Sequence, residues 1–311
     1  MTLSNDAKAV LVLTTRLGDR DRPSLSPAAW HGLVQALADA GLAPQALFAP
    51  GFDADRFAHG EGEKVRELLA GTVAVFVEFD ALAQKGIWVL THADSGYPER
   101  LRSLGEAAPP CLFGVGQPGL LAGGGIAVVG SRQVEPAGAA VAGETGRAAA
   151  SAGRTLISGS ARGVDQLAMN AAFQAGGTVI GVLGDSLTQR LRSSDILSAL
   201  DGGRTCLMTQ QHPDAGFSVS AAMARNKLIY GLADLTVVIA ADERRGGTWS
   251  GAEEALRKGY GRVAVWRGPG EGPGNAVLER MGAVALRSVE DLEALVRSPG
   301  ETAAPQQLTM L

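Results

Sequence analysis

Apolar residues recur at helical spacing early in the chain. Trp30, Leu33, Val34 and Leu37 fall on one face of a helix that Ser26 would cap and Pro27 would open. A second amphipathic stretch covers Val65 to Leu69, and together these predict a small helical domain over residues 1–85. The period then changes. "GIWVLTHADSGYPERL" (86–101) reads as a short strand followed by a turn, and "PPCLFGVG" (109–116) as another extended piece. Residues 86–124 are therefore expected to form an extended connector packed on a sheet. After "AGGG" (122–125) short apolar runs alternate with Ala-rich helical ones. The predicted strands are Ile126–Val129, Thr155–Ile157, Thr178–Leu183, Thr205–Thr209, Leu235–Ala240 and Arg262–Val265, with helices over Ala137–Ala152 and Ala221–Leu232. Strands alternating with helices are βαβ units, so residues 125–297 should be an α/β domain with a doubly wound, mostly parallel sheet. The tail, "SPGETAAPQQLTML", has no period and is expected to be disordered over 298–311.

That architecture says where chemistry should sit, because a doubly wound sheet binds ligands beyond the carboxyl ends of its strands. Gly130, Ser131 and Arg132 follow the first predicted strand, and "SGSARGVD" (158–165) follows the second. This second loop supplies Ser158, Gly159, Ser160, Ala161, Arg162, Gly163 and Asp165. Gly184-Asp185 follows the third, and "ERRGGTWSGAEE" (243–254), with Gly246, Gly247 and Thr248, follows the fifth. Arg225, Asn226 and Lys227 lie in the helix between the fourth and fifth. Glycines let backbone N–H groups approach a phosphate, and a helix N-terminus adds about half an elementary charge. Arg132, Arg162, Arg225 and Lys227 supply formal charge, and Asp165 is expected to cap the helix that follows it. The loops together predict an anion cradle. Arg244 and Arg245 are read equally as a solvated face.

Charge at first opposes a polyanion, since 28 Lys+Arg face 32 Asp+Glu for a net charge of −4. Its distribution does not. Residues 125–270 carry 15 basic against 12 acidic side chains, between segments with 10 against 14 and 3 against 6. Two cysteines and four scattered histidines offer neither a disulfide framework nor a zinc spacing, and no cofactor or metal is expected. "GVGQPG" (114–119) fits a dinucleotide fingerprint only as letters, because Pro118 and the lack of a following helix deny it the context. No Walker lysine loop and no serine-hydrolase elbow occurs. With no secretion signal and no apolar run near the roughly 18 residues of a membrane span, the expected setting is the cytoplasm, away from membranes.

Taken in order, "YPERL" (97–101), "PPCLFGVG", "IAVVGSR" (126–132), "LISGSARGVD" (156–165), "TVIGVLG" (178–184) and "ARNKLIYGLAD" (224–234) resemble the DNA-processing protein A (DprA/Smf) family. The match runs over about residues 86–270. The resemblance implies a Rossmann-like core that dimerises, preceded by a small SAM-like helical domain. It also implies binding of single-stranded DNA during natural transformation, with protection of the strand and loading of a RecA-type recombinase. By similarity, Gly130 to Arg132, the Ser158 to Asp165 loop and Arg225 to Lys227 would form the DNA pocket, with no catalytic residue. The chain departs from the family at Ala168-Met169, where Ala-His is usual, and at Gln210-Gln211-His212-Pro213, where Ser-Glu precedes the proline. Ala222 replaces the aromatic three positions before the Arg-Asn pair, so base stacking would fall to Phe217 or Trp249. The chain also reads as a short member without the C-terminal winged-helix domain.

Two other readings use the same loops. "GGTWSGAEE" resembles, one residue out of step, the Gly-Gly-x-Gly-Thr-x-x-Glu loop of lysine-decarboxylase-like phosphoribohydrolases, in which Glu253 or Glu254 would be the acid/base. The same letters also read as a helix capped by Ser250. A nucleotide-signal sensor in a defence system is the other reading. Finally, "QLTML" (307–311) resembles the peptides with which DNA-metabolism proteins dock on a sliding clamp.

Overall fold

The computed structural model describes residues 3–297, and it divides the chain into two compact units. The expected tail, 298–311, and the clamp-like "QLTML" lie outside the described residues.

The first unit comprises residues 1–115 and 209–215. Its helices are α1 (Asn5–Thr14), α2 (Pro27–Asp39), α3 (Gly62–Ala70) and α4 (Thr72–Gln84). Ser26 caps α2 as its sequence predicts, its side chain accepting from Ala29 N at 3.1 Å with Pro27 in the first turn. Helix α1 was not expected. Its run "AVLVL" is apolar on every side, so it carries no 3.6-residue period, and Ala9, Val10, Leu11, Val12 and Leu13 are all buried. Arg22 fastens α1 to α3, donating to Val12 O and Leu68 O, both at 2.9 Å. Strand β1 (Trp88–Thr91) pairs antiparallel with β2 (Cys111–Gly116), and the one-turn α5 (Glu99–Arg102) lies between them. The "YPERL" segment closes this loop: Tyr97 Oη donates to Pro109 O at 2.7 Å, and Arg102 donates to His92 O at 2.5 Å and Asp94 O at 2.8 Å. Residues 209–215 are tied in by His212 to Glu78 at 2.9 Å and Arg20 to Asp214 at 2.6 Å.

The second unit holds the remaining chain from residue 116 and is the α/β domain. Its strands are β3 (Ile126–Val129), β4 (Leu156–Ser158), β5 (Val179–Val182), β6 (Thr205–Thr209), β7 (Leu235–Val238), β8 (Arg262–Trp266) and β9 (Val284–Leu286). They run parallel in the order β6-β5-β4-β3-β7-β8-β9. The doubly wound fold is thus as expected, with β9 added. Each central strand is buried at every residue, which is why it reads as an unbroken apolar run; β9 has Val284 exposed and gives no such signal. The connecting helices are α6 (Pro136–Ser151), α7 (Val164–Gln174), α8 (Leu187–Arg190), α9 (Ser194–Asp201), α10 (Val219–Leu232), α11 (Gly246–Lys258), α12 (Asn275–Arg280) and α13 (Val289–Arg297). Buried Ala142 and Ala149 of α6 and Ala168 and Ala172 of α7 join the core against β3 and β4. Small side chains let these helices lie close to each other and to the sheet. Among the described residues no helix is long and apolar enough to cross a membrane.

Candidate nucleic-acid interface

Strands β4 to β6 are added on one side of β3, and the chain then returns to place β7 on the other. The seam between β3 and β7 is therefore the topological switch point, where the loops leaving two neighbouring strands part to opposite faces and open a crevice. An open cleft of about 620 Å³ lies there, lined by Ser131, Arg132, Arg162, Asp242, Gly247 and Thr248 among others. Three of the loops singled out in the sequence thus meet at one place. Ser131 shapes its own turn, donating to Gln133 O at 2.8 Å and accepting from Gln133 N at 3.1 Å. Arg132 and Arg162 are exposed, and neither pairs with a carboxylate among the described residues. Helix α11 begins at Gly246 with no side-chain cap hydrogen bond, and Gly246, Gly247 and Thr248 of its first turn line the cleft. Gln133, Ala240 and Asp242 also line the cleft. Sequence reading missed these three; their position directly after β3 and β7 was the available signal.

Arg225 has a different place from the one expected. It is 8% exposed, donates to Val182 O at 3.2 Å and lies 3.8 Å from the Asp165 carboxylate. Burial lowers its pKa and the facing carboxylate opposes that shift, while Arg132 adds repulsion. Asp165 is not a helix cap. Gly163 holds that position, and the Asp165 carboxylate turns back to accept from Gly159 N at 3.1 Å and Ala161 N at 3.4 Å. Burial raises its pKa against the pull of Arg225 and those two N–H groups. This buried pair holds the "SGSARGVD" loop from inside and leaves Arg162 at its tip.

Two glycines make the arrangement possible. A Cβ on Gly159 would stand 1.1 Å from Arg225 Nη1, and one on Gly163, at φ +83°, would stand 2.4 Å from Ser131 O. Ser158 is fully buried and donates to Val128 O at 2.6 Å, tying β4 to β3 below the loop. The Ser160 carbonyl accepts from Arg190, which also pairs with Asp185 at 2.7 Å, so the loop after β5 braces the loop after β4. Asn226 Nδ2 donates to Gly247 O at 2.9 Å and steadies the start of α11. Lys227 pairs with Glu254 at 3.4 Å rather than lining the cleft. Gly130 is half-buried at the end of β3. Ser250 lies inside α11 and does not cap it, and neither Glu253 nor Glu254 lines the cleft. Trp249 is buried, whereas Phe217 is exposed.

Fold and cleft define a doubly wound α/β domain whose switch point brings two exposed arginines and the first turn of α11 to one open cleft. The chain belongs to the DNA recombination-mediator protein A family, whose sequence profile matches residues 88–296. The DNA processing protein DprA of Bacillus subtilis (strain 168) is 28% identical over 220 residues, 68% of this chain and 72% of the relative. DNA processing protein A (DprA) from Streptococcus pneumoniae superposes with a TM-score of 0.69 at 23% identity, covering 95% of this chain and 99% of that one. A Helicobacter pylori DNA processing protein A structure, described for its single-stranded DNA binding mode, gives 0.55 at 21% identity over 67% and 94%. At these identities the two structures establish a shared fold.

Proposed function

We propose that the chain binds single-stranded DNA, without catalysing a reaction on it, by seating phosphates in the switch-point cleft. The observation that carries this reading is the meeting of two exposed guanidinium groups, Arg132 and Arg162, which have no carboxylate partner among the described residues, with the first turn of α11, which has no side-chain cap there, on one open cleft. A protein of net charge −4 that concentrates such donors in one place is arranged to attract an anion there and repel it elsewhere. The family, and the binding described for the Helicobacter pylori relative, support a strand of DNA as that anion. On the same basis we infer a cytoplasmic homodimer that protects an incoming strand and passes it to a RecA-type recombinase in natural transformation.

Phosphate contacts release counterions, so affinity for a single strand should fall with a log–log salt slope of about −0.7 per phosphate neutralised. Arg132→Ala and Arg162→Ala should each weaken binding of an oligothymidylate and make that slope shallower by about 0.7. Fluorescence anisotropy across a salt series measures both. Two variants that bind like the unmodified protein would remove the cleft as the binding site.

A further inference from the structure

Phe217 is 56% exposed, and Val219 beside it is 72% exposed. Among the described residues of the second unit, Phe217 is the one exposed Phe, Tyr or Trp. It is not loosely placed. The intervening Ser218 caps α10, its side chain accepting from Ala221 N at 3.1 Å, which anchors the backbone beside Phe217 to a 14-residue helix. On one side the Arg132 guanidinium lies over the ring, 5.5 Å from its centroid. Arg132 is also a wall of the cleft. A single side chain thus links the site of phosphate attraction to the exposed ring. A guanidinium over one face satisfies that face by cation–π attraction and leaves the rest of the ring hydrated at a cost.

We propose that Phe217, stacked beneath Arg132, is a platform for a base of the single strand whose phosphates occupy the adjoining cleft. The inference rests on the proposed single-stranded DNA binding. A strand entering the cleft brings unpaired bases within reach of the ring, and every base presents a π-face regardless of sequence. Covering the ring would dehydrate it, and Arg132 would then serve twice, by charge to the phosphates and by its plane to the stack. A duplex has its bases already stacked on one another and gains nothing from the platform, so Phe217 would favour single strands.

The test compares the full chain with Phe217→Ala and Phe217→Trp on an oligothymidylate and on an abasic strand of the same length. Phe217→Ala should lose about 5- to 150-fold in affinity for the oligothymidylate, with the salt slope unchanged. Phe217→Trp should keep the affinity and show a change in tryptophan emission that the unmodified protein lacks. On the abasic strand the unmodified protein and Phe217→Ala should bind alike. Equal affinity of Phe217→Ala and the unmodified protein for the oligothymidylate would overturn the platform while leaving the cleft reading intact. Equal losses on the two strands would overturn it too, since Phe217 would then only position Arg132. An unmodified protein with no salt-sensitive binding to either strand would remove cleft and platform together.

Discussion

The Arg225–Asp165 pair shows how a residue that looks made for a ligand can belong to the frame. Both side chains are about nine-tenths buried, and removing one leaves the other's charge without its partner. Arg225→Ala should therefore destabilise the protein by about 3–5 kcal/mol, read as a shift in the urea unfolding curve. The loss should depend on pH. Burial already raises the Asp165 pKa in the folded state above 3.8, and removing Arg225 raises it further. The folded state then holds a proton that the unfolded chain releases, so stability falls as pH rises from about 4 through the raised folded value. The deficit of Arg225→Ala should shrink on acidification, and a deficit constant between pH 4 and pH 7 would count against this account. Nothing in the letters "ARNKLIY" announces burial, because arginine is ordinarily a surface residue. Gly159 carried the missing half of the information: it leaves the space that the guanidinium fills.

At the level of elements, the central strands were legible because each is buried on both faces and so is apolar without interruption. The boundaries differ only at the ends. Helix α1 and strand β9 were not legible, for opposite reasons: the helix is apolar all round and the strand is partly exposed. The loops of the candidate site were found from their place after the strands, whereas the residues that hold them came only from the packing. Asn275 is an example. Fully buried at the start of α12, it donates to Ile239 O at 2.8 Å and Trp266 O at 2.7 Å and accepts from Ala241 N at 2.9 Å. It thereby ties together the exits of β7 and β8, and Ala240 and Asp242, which follow β7, line the cleft. Asn275→Ala strands three buried backbone groups and should cost about 3 kcal/mol or more. Exposed Arg280→Ala on the same helix should stay within about 0.5 kcal/mol, and similar urea midpoints for the two variants would contradict the role of Asn275.

The whole molecule carries one cysteine in each unit, Cys111 in the first and Cys206 in the second, both buried. Burial raises the Cys111 thiol well above its usual range and pushes Cys206 up to about 12. Thiolate is the reactive form, so neither should react with a thiol reagent in the native protein, and each should become reactive only when its own unit opens. Mass spectrometry of the labelled peptides along a urea series reports the two units separately; prompt labelling of either cysteine in buffer would show that its surroundings are open.

The first unit is not one length of chain, because residues 209–215 return to it through His212 and Asp214 after most of the sheet has been laid down. The gene therefore cannot be cut once to give two whole parts. A truncated piece beginning at residue 116 would include that returning segment without Glu78 and Arg20, and a piece ending at 115 would keep those side chains but lose what they hold.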